Sequence, residues 1–272
     1  MANRIATYIV DSFTDQPFKG NPAGVCLLDH ALPEQRMLQI AQELGLSETA
    51  FVESIEGASQ LNIRYFSPKM EIPLCGHATL ASAKVLFSQS NELEEIHFIT
   101  KDGLDLHILR EGEWIVMEFP TYDTQSSDVP QELLNALGLS SYQNCVYNQD
   151  LKIFLLEIAD AQLLASLAPD FPALLASYTG INGVLVTARS VSSDFDFESR
   201  YFWPWSGTNE DPVTGGTHTF LAPYWAARLK KTKMRSFQSS ARTGFMEVEL
   251  REEGKMKIRG KAQLFLSGEI FL

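Results

Sequence analysis

Residues 71–87 read EIPLCGHATLASAKVLF. From Ala78 to Phe87 the only charge is Lys84, so a helix over this run is apolar on nearly every face and belongs inside a core. Its N-terminus falls at Cys75-Gly76-His77. The first turn of such a helix carries free N–H groups and a partial positive charge, and if both are buried they need a partner.

The stretch has an echo 136 residues later. Arg64-Tyr65-Phe66-x-Pro68 is answered by Arg200-Tyr201-Phe202-x-Pro204. Gly76-His77-Ala78-Thr79-Leu80-Ala81 is answered, with one residue inserted, by Gly216-Thr217-His218-Thr219-Phe220-Leu221-Ala222. In both places a strand and a loop lead to a glycine and then to an apolar helix. Same-order matches that end on the same element point to duplication, and so to two similar lobes related by a pseudo-twofold. Two buried helix N-termini would then face each other across a cleft and form a site for an anion, most simply a substrate carboxylate.

Working outward, short β-branched and aromatic runs predict strands at 4–10, 23–29, 49–54 and 61–66. Residues 33–45 predict a surface helix, with Pro33 in its first turn and Gly45 as its cap. Three further strands follow the apolar helix. Residues 120–131, PTYDTQSSDVPQ, lose periodicity and read as a linker. The second half repeats the recipe, with strands within 146–158, at 183–188 and at 198–204, a second apolar helix, and strands again over 234–271. The expected division is an N-terminal lobe of residues 1–119, completed by the C-terminal strand 262–272, and a C-terminal lobe of residues 130–261.

Composition narrows the partners. The 272 residues are 45% hydrophobic and 21% charged, with a net charge of −12, which suits an ordinary globular protein and argues against nucleic acid. No signal-peptide core or membrane-spanning run is legible, so the sequence reads as cytoplasmic with no membrane partner. Cys26, Cys75 and Cys145 are odd in number and far apart, against a disulfide framework or zinc knuckle. The five histidines show no metal spacing, and no glycine-rich phosphate loop is present. No metal or cofactor is expected.

Several residues could do chemistry. Glu48, in LGLSETAFV (44–52), sits at an element junction beside buried surface, a setting suited to a working acid or base, although a solvated turn glutamate fits the same stretch. His77, at the mouth of the buried helix, could bind a substrate or move a proton, or be a satisfied core histidine. Asp211, in NEDPVTGGTH (209–218), starts a turn whose Gly215 and Gly216 let backbone N–H groups approach a ligand. Asn21, in FKGNPAGV (18–25), has the same ambiguity between turn and ligand. A Cys75–His77 dyad is disfavoured, because near neighbours in a loop rarely aim both side chains at one atom. A two-thiol epimerase would need a second cysteine in the other half, where Asp211 to Gly216 contain none. Cys75 reads as structural.

Taken together and in order, FKGNPAGV, LSETAFV, RYFSPKMEIPLCGHATLA and NEDPVTGGTH resemble the PhzF family of phenazine-biosynthesis-like isomerases. That family shares its fold with diaminopimelate epimerase. The resemblance runs from residue 5 to the final GEIFL. It implies an α+β fold of two lobes, each a curved, barrel-like mixed β-sheet around a central apolar helix, and frequent homodimers. It also implies a cofactor-free proton-shift isomerisation of a small carboxylate; in the characterised phenazine pathway the substrate is trans-2,3-dihydro-3-hydroxyanthranilate. The catalytic residues it implies are Glu48 as general acid/base, His77 and Asp211. Substrate-binding positions would be Asn21, Cys75, Gly76, Gly215, Gly216 and Thr217. Many relatives carry serine where this chain has Gly216, which leaves backbone N–H groups and Thr217 to serve. Two other readings stand beside this one: a one-thiol racemase or epimerase acting through Cys75, and a binding protein that kept the fold without the activity.

Overall fold

A computed structural model describes residues 4–55, 57 and 59–272; residues 1–3, the start of the expected first lobe, lie outside them. The chain divides into two compact units, residues 1–118 with 258–272, and residues 119–257. Both mix α and β. No helix among the described residues is long and apolar enough to cross a membrane.

In the first unit the strands are β1 (Arg4–Ser12), β2 (Asn21–Leu28), β3 (Glu48–Ser54), β4 (Leu61–Phe66), β5 (Glu71–Ile72), β6 (Glu95–Thr100), β7 (Asp105–Glu111) and β8 (Trp114–Pro120), which runs just past the boundary. Strand β18 (Ala262–Phe271) returns from the far end of the chain to pair antiparallel with β1. The sheet is mixed: β1–β2 is antiparallel, β2–β3 parallel, β3–β4 antiparallel, β4–β6 parallel, and β6–β7 and β7–β8 antiparallel. Helix α1 (Glu34–Leu44) starts after Pro33 and stops at Gly45, whose φ of +64° suits a residue without Cβ and whose N–H bonds the Ala41 carbonyl.

Helix α2 (Gly76–Gln89) is the apolar run singled out above. It buries nine of its residues, His77 to Ala83 together with Val85 and Phe87, and packs on β1, β2, β3 and β18. Burying a side chain such as Leu80 contributes about 1.5–3 kcal/mol, so the sheet wraps this helix because all of its faces gain by leaving water. Gly260 makes room for it: a Cβ there would stand 2.4 Å from a Leu80 methyl.

The second unit contains β9 (Gln125–Ser126), α3 (Gln131–Leu137), β10 (Asn144–Asn148), β11 (Ile153–Glu157), α4 (Ala161–Ser166), α5 (Phe171–Ser177), β12 (Gly183–Arg189), β13 (Phe197–Trp203), β14 (Thr208–Asp211), α6 (His218–Leu229), β15 (Lys233–Gln238) and β16 (Gly244–Leu250); β17 (Lys255–Gly260) crosses the boundary. Two features depart from the sequence reading. The stretch read as linker contains β9, which pairs with β10. The short helices α3, α4 and α5 were not foreseen; two of them begin at aspartate caps, Asp160 and Asp170, whose carboxylates accept first-turn N–H bonds.

The duplication is written into the pairing order. In this unit β10–β11 is antiparallel, β11–β12 parallel, β12–β13 antiparallel, β13–β15 parallel and β15–β16 antiparallel, the sequence of β1–β2, β2–β3, β3–β4, β4–β6 and β6–β7. Each unit repeats one ion pair as well. Arg64 on β4 grips Glu71 on β5 through Nε and an Nη at 2.7 and 2.8 Å, and Arg200 on β13 grips Glu210 on β14 at the same two distances. This two-pronged contact fixes the short return strand that leads into each apolar helix.

Candidate active site

In the first unit, chain order and register bring three of the singled-out residues together. Glu48 opens β3, held beside Ala23 of β2 by the parallel ladder. Its carboxylate Oε2 lies 3.2 Å from His77 Nε2, with side-chain exposures of 12% for Glu48 and 10% for His77. The other ring nitrogen, Nδ1, lies 3.3 Å from Cys75 Sγ. Thiol, imidazole and carboxylate therefore form a continuous chain at the tip of α2.

The sequence reading disfavoured a Cys75–His77 pair, yet the two side chains meet here; the contact is compatible with the structural role read for Cys75. Cys75 is the N-cap residue in extended conformation and His77 stands in the first turn, so the backbone curls one side chain back over the other. The turn is braced from several sides. Ser12 Oγ donates to the His77 carbonyl at 2.7 Å, Thr79 Oγ1 donates to the Cys75 carbonyl at 2.8 Å, and the Tyr65 hydroxyl meets Thr79 Oγ1. Cys26 and Cys145 stand apart from any such chemistry, with burial pushing both thiols up to about 12.

Burial lowers the pKa of His77 below the usual imidazole value, opposed by the neighbouring Glu48 carboxylate. The ring is thus neutral near pH 7. We assign the tautomer with Nε2–H donating to Glu48 and Nδ1 accepting from the Cys75 thiol, which satisfies all three groups. The Glu48, Cys75 and His77 ligand atoms also lie within 4.8 Å of one another, a donor set able to hold a zinc-class ion.

Neither apolar helix is capped by a side chain. Helices α4 and α5 are capped by aspartates, whereas α1 and α3 start after prolines without a side-chain cap. At α6 the N–H groups of His218, Thr219 and Phe220 bond the carbonyls of Gly215, Gly216 and Thr217, so of the two apolar helices it is α2 whose first turn is offered to a ligand. Ser47, beside Glu48, has a buried hydroxyl with no hydrogen-bond partner among the described residues. The sequence reading passed over it, although its place in LSET was the available signal. Asn21 is fully buried at the start of β2.

The second unit places its candidates differently. Asp211 ends β14, and its carboxylate accepts from Thr214 Oγ1 while its carbonyl accepts from Gln238 Nε2 at 2.6 Å. Asp211 therefore ties down the DPVTGG turn that carries Gly215 and Gly216. Thr217 is buried and its hydroxyl donates to the Thr214 carbonyl at 3.2 Å, so it is turned into its own loop. A Cβ at Gly216 would meet nothing within 4 Å. His218, at the first position of α6, is a satisfied core histidine: Nδ1 lies 3.0 Å from the Thr214 carbonyl and Nε2 lies 2.8 Å from Ser236 Oγ. Burial pushes it down to about 4.

Residues 10–268 match the family model described as PhzC-PhzF, phenazine biosynthesis-like protein. An uncharacterized isomerase of Pseudomonas aeruginosa is 44% identical over 98% of this chain and 99% of its own length. A phenazine biosynthesis-like domain-containing protein of Mus musculus is 40% identical over 98% of this chain and 99% of its own. Among solved structures, a PhzF family phenazine biosynthesis protein of Enterococcus faecalis superposes with a TM-score of 0.92 at 38% identity, covering all of both chains.

Proposed function

This chain belongs to the PhzC-PhzF, phenazine biosynthesis-like, family, and from that premise we propose that it is a cofactor-independent isomerase that shifts a proton on a small carboxylate-bearing substrate, with Glu48 as the general acid/base. The observation that carries the reading is the Glu48–His77 contact at the uncapped tip of α2. A carboxylate is poised beside free backbone donors and backed by a neutral imidazole.

In this reading the first-turn N–H groups after Cys75 hold the substrate carboxylate and the negative charge that develops when a C–H bond breaks. Glu48 takes the proton from carbon and returns it to another carbon. His77 donates to the Glu48 carboxylate in the resting state, fixing its orientation, and the Cys75 thiol donating to Nδ1 holds the ring in that tautomer. Asp211 is a positioning residue that holds the Gly215–Gly216 turn.

The deciding experiment is solvent exchange. A panel of small cyclic and amino-acid-like carboxylates is incubated with the protein in D₂O, and carbon-bound deuterium is followed by mass spectrometry. Glu48→Gln keeps the shape but cannot accept the proton, and it is expected to lower exchange by about 10²–10⁴-fold. Exchange at the wild-type rate in Glu48→Gln would overturn the reading. A second reading, a one-thiol racemase or epimerase, is favoured by the 3.3 Å Cys75–His77 contact. It predicts the reverse pattern, with Cys75→Ala inactive; the Glu48 reading expects Cys75→Ala to stay within roughly threefold of wild type. A chelator added to the same assay is expected to leave exchange unchanged.

A further inference from the structure

Away from that site, strands β6 and β7 carry a cluster on their solvent face that the isomerase reading does not use. His97 and His107 are direct cross-strand partners, and Ile99 faces Asp105 two pairs further on. Side chains two apart on a strand share a face, so Glu95 and His97 on β6 and Asp105 and His107 on β7 all project from one side. The opposite side carries Ile96, Phe98 and Ile108, which are buried. The cluster is therefore mounted on a hairpin anchored by its own core face, and the sheet continues on both flanks, β4 beyond β6 and β8 beyond β7.

We propose that Glu95, His97, Asp105 and His107 form a binding site for a late first-row divalent metal ion of the zinc class. The two imidazoles stack with centroids 4.3 Å apart and planes 15° from parallel. His107 Nε2 lies 3.1 Å from Glu95 Oε2, and His97 Nδ1 lies 3.5 Å from Asp105 Oδ1. One ligand atom each from Glu95, His97 and His107 can be chosen so that all three lie within 4.8 Å of one another. Donors around a tetrahedral zinc stand about 3.4 Å apart, given metal–ligand lengths near 2.1 Å. Two of the contacts already have that spacing; Asp105, which contacts His97 alone, joins the set by a change of its exposed side-chain rotamer. Two imidazoles with two carboxylates match the preference of zinc, nickel and copper ions rather than that of calcium or magnesium.

Two separate ion pairs are the simpler use of the same residues. They leave the two stacked imidazoles without a common partner, whereas a shared cation uses all four groups at once. The site is independent of the isomerase reading and stands or falls separately.

The test counts zinc bound to the full chain at pH 7.5 by calorimetry with Zn²⁺ alone, comparing wild type with the double variant His97→Asn/His107→Asn. The double variant is expected to bind one equivalent fewer, and each single variant to bind that equivalent roughly tenfold or more weaker. Zinc is also expected to raise the melting temperature of the wild type by more than that of the double variant. Because Glu48, Cys75 and His77 could hold an ion of their own, Glu48→Gln serves as the control and is expected to keep the hairpin equivalent. Equal stoichiometry and affinity in wild type and double variant would overturn the proposal, as would a wild type that binds no zinc. Carbon–deuterium exchange by the double variant is expected to match wild type.

Discussion

The two halves of this chain share a pairing order, an arginine–glutamate fork and an apolar helix, yet they differ at the position where chemistry is expected. Aligning Phe66 with Phe202, which face Thr49 and Val184 across their ladders, makes Glu48 the counterpart of Gly183. In the first half that position bears a carboxylate against His77. In the second, the Tyr201 ring fills the space so closely that a Cβ on Gly183 would stand 2.6 Å from its Cε2. The histidines diverge too. His77 links a thiol to a carboxylate, whereas His218 is held between a carbonyl and a serine. The scaffold occurs twice, and each copy buries a tyrosine at this place, Tyr65 and Tyr201; what differs is the facing residue, a carboxylate in one copy and a glycine in the other.

That comparison can be pressed hardest at the repeated fork. Arg200 has 9% side-chain exposure and also donates to the carbonyls of Leu164 and Leu167, whereas Arg64 is 25% exposed and shares its partners Glu34 and Glu71 with Lys101. Removing one partner of a buried pair typically costs about 3–5 kcal/mol, and an exposed pair contributes about 1 kcal/mol or less. Arg200→Ala is therefore expected to lower unfolding stability severalfold more than Arg64→Ala, measured by urea denaturation. Equal losses would mean that the two forks are energetically alike despite their surroundings.

The histidines offer the next test. The folded pKa of His218 lies below its unfolded value of about 6.5, so the unfolded chain takes up the proton first. Its stabilising effect is complete above that pH and drains as pH falls toward 4. The full swing is about 3 kcal/mol at one unit per 1.36 kcal/mol. His77 acts with the same sign. His218→Gln is expected to flatten the slope of denaturation midpoint against pH between 6.5 and 4; an unchanged slope would remove His218 from the acid response.

Smaller again is Gly183→Ala. The added methyl must displace the buried Tyr201 ring or the Phe202 carbonyl, an overpacking cost of about 1–3 kcal/mol. A variant as stable as wild type would show that the closed pocket has slack. Gly216→Ser should be the mildest. Its Cβ meets open space, so a stability change within about 0.5 kcal/mol is expected, and the exchange assay then reports what a hydroxyl adds at that turn.

Much of this architecture was legible along the chain. Strands β1 to β4 and helices α1 and α2 follow from alternation, helical spacing and the Pro33 and Gly45 signals, and the repeat followed from two matched motifs. The short helices α3, α4 and α5 escaped because six or seven residues give barely two turns, too few for an apolar period to register. Asp160 and Asp170 ahead of apolar runs were the signals that could have marked two of them. Asp211 was singled out at the start of its turn and as a catalytic candidate, and its Thr214 partner is a matter of loop geometry.

The sequence alone determined which segments must be buried, because apolar content and period are properties of the chain, and it therefore determined a helix whose N-terminus would lack ordinary solvent. Only the tertiary structure decided what stands at that end. Glu48 and His77 are 29 residues apart and belong to different elements, and their 3.2 Å contact follows from the ladder that seats β3 beside β2 and from the packing of α2 on both. The same holds for His97 and His107, whose pairing is a fact of strand register. Register and packing are set by the summed burial of many side chains, which no local stretch of sequence contains.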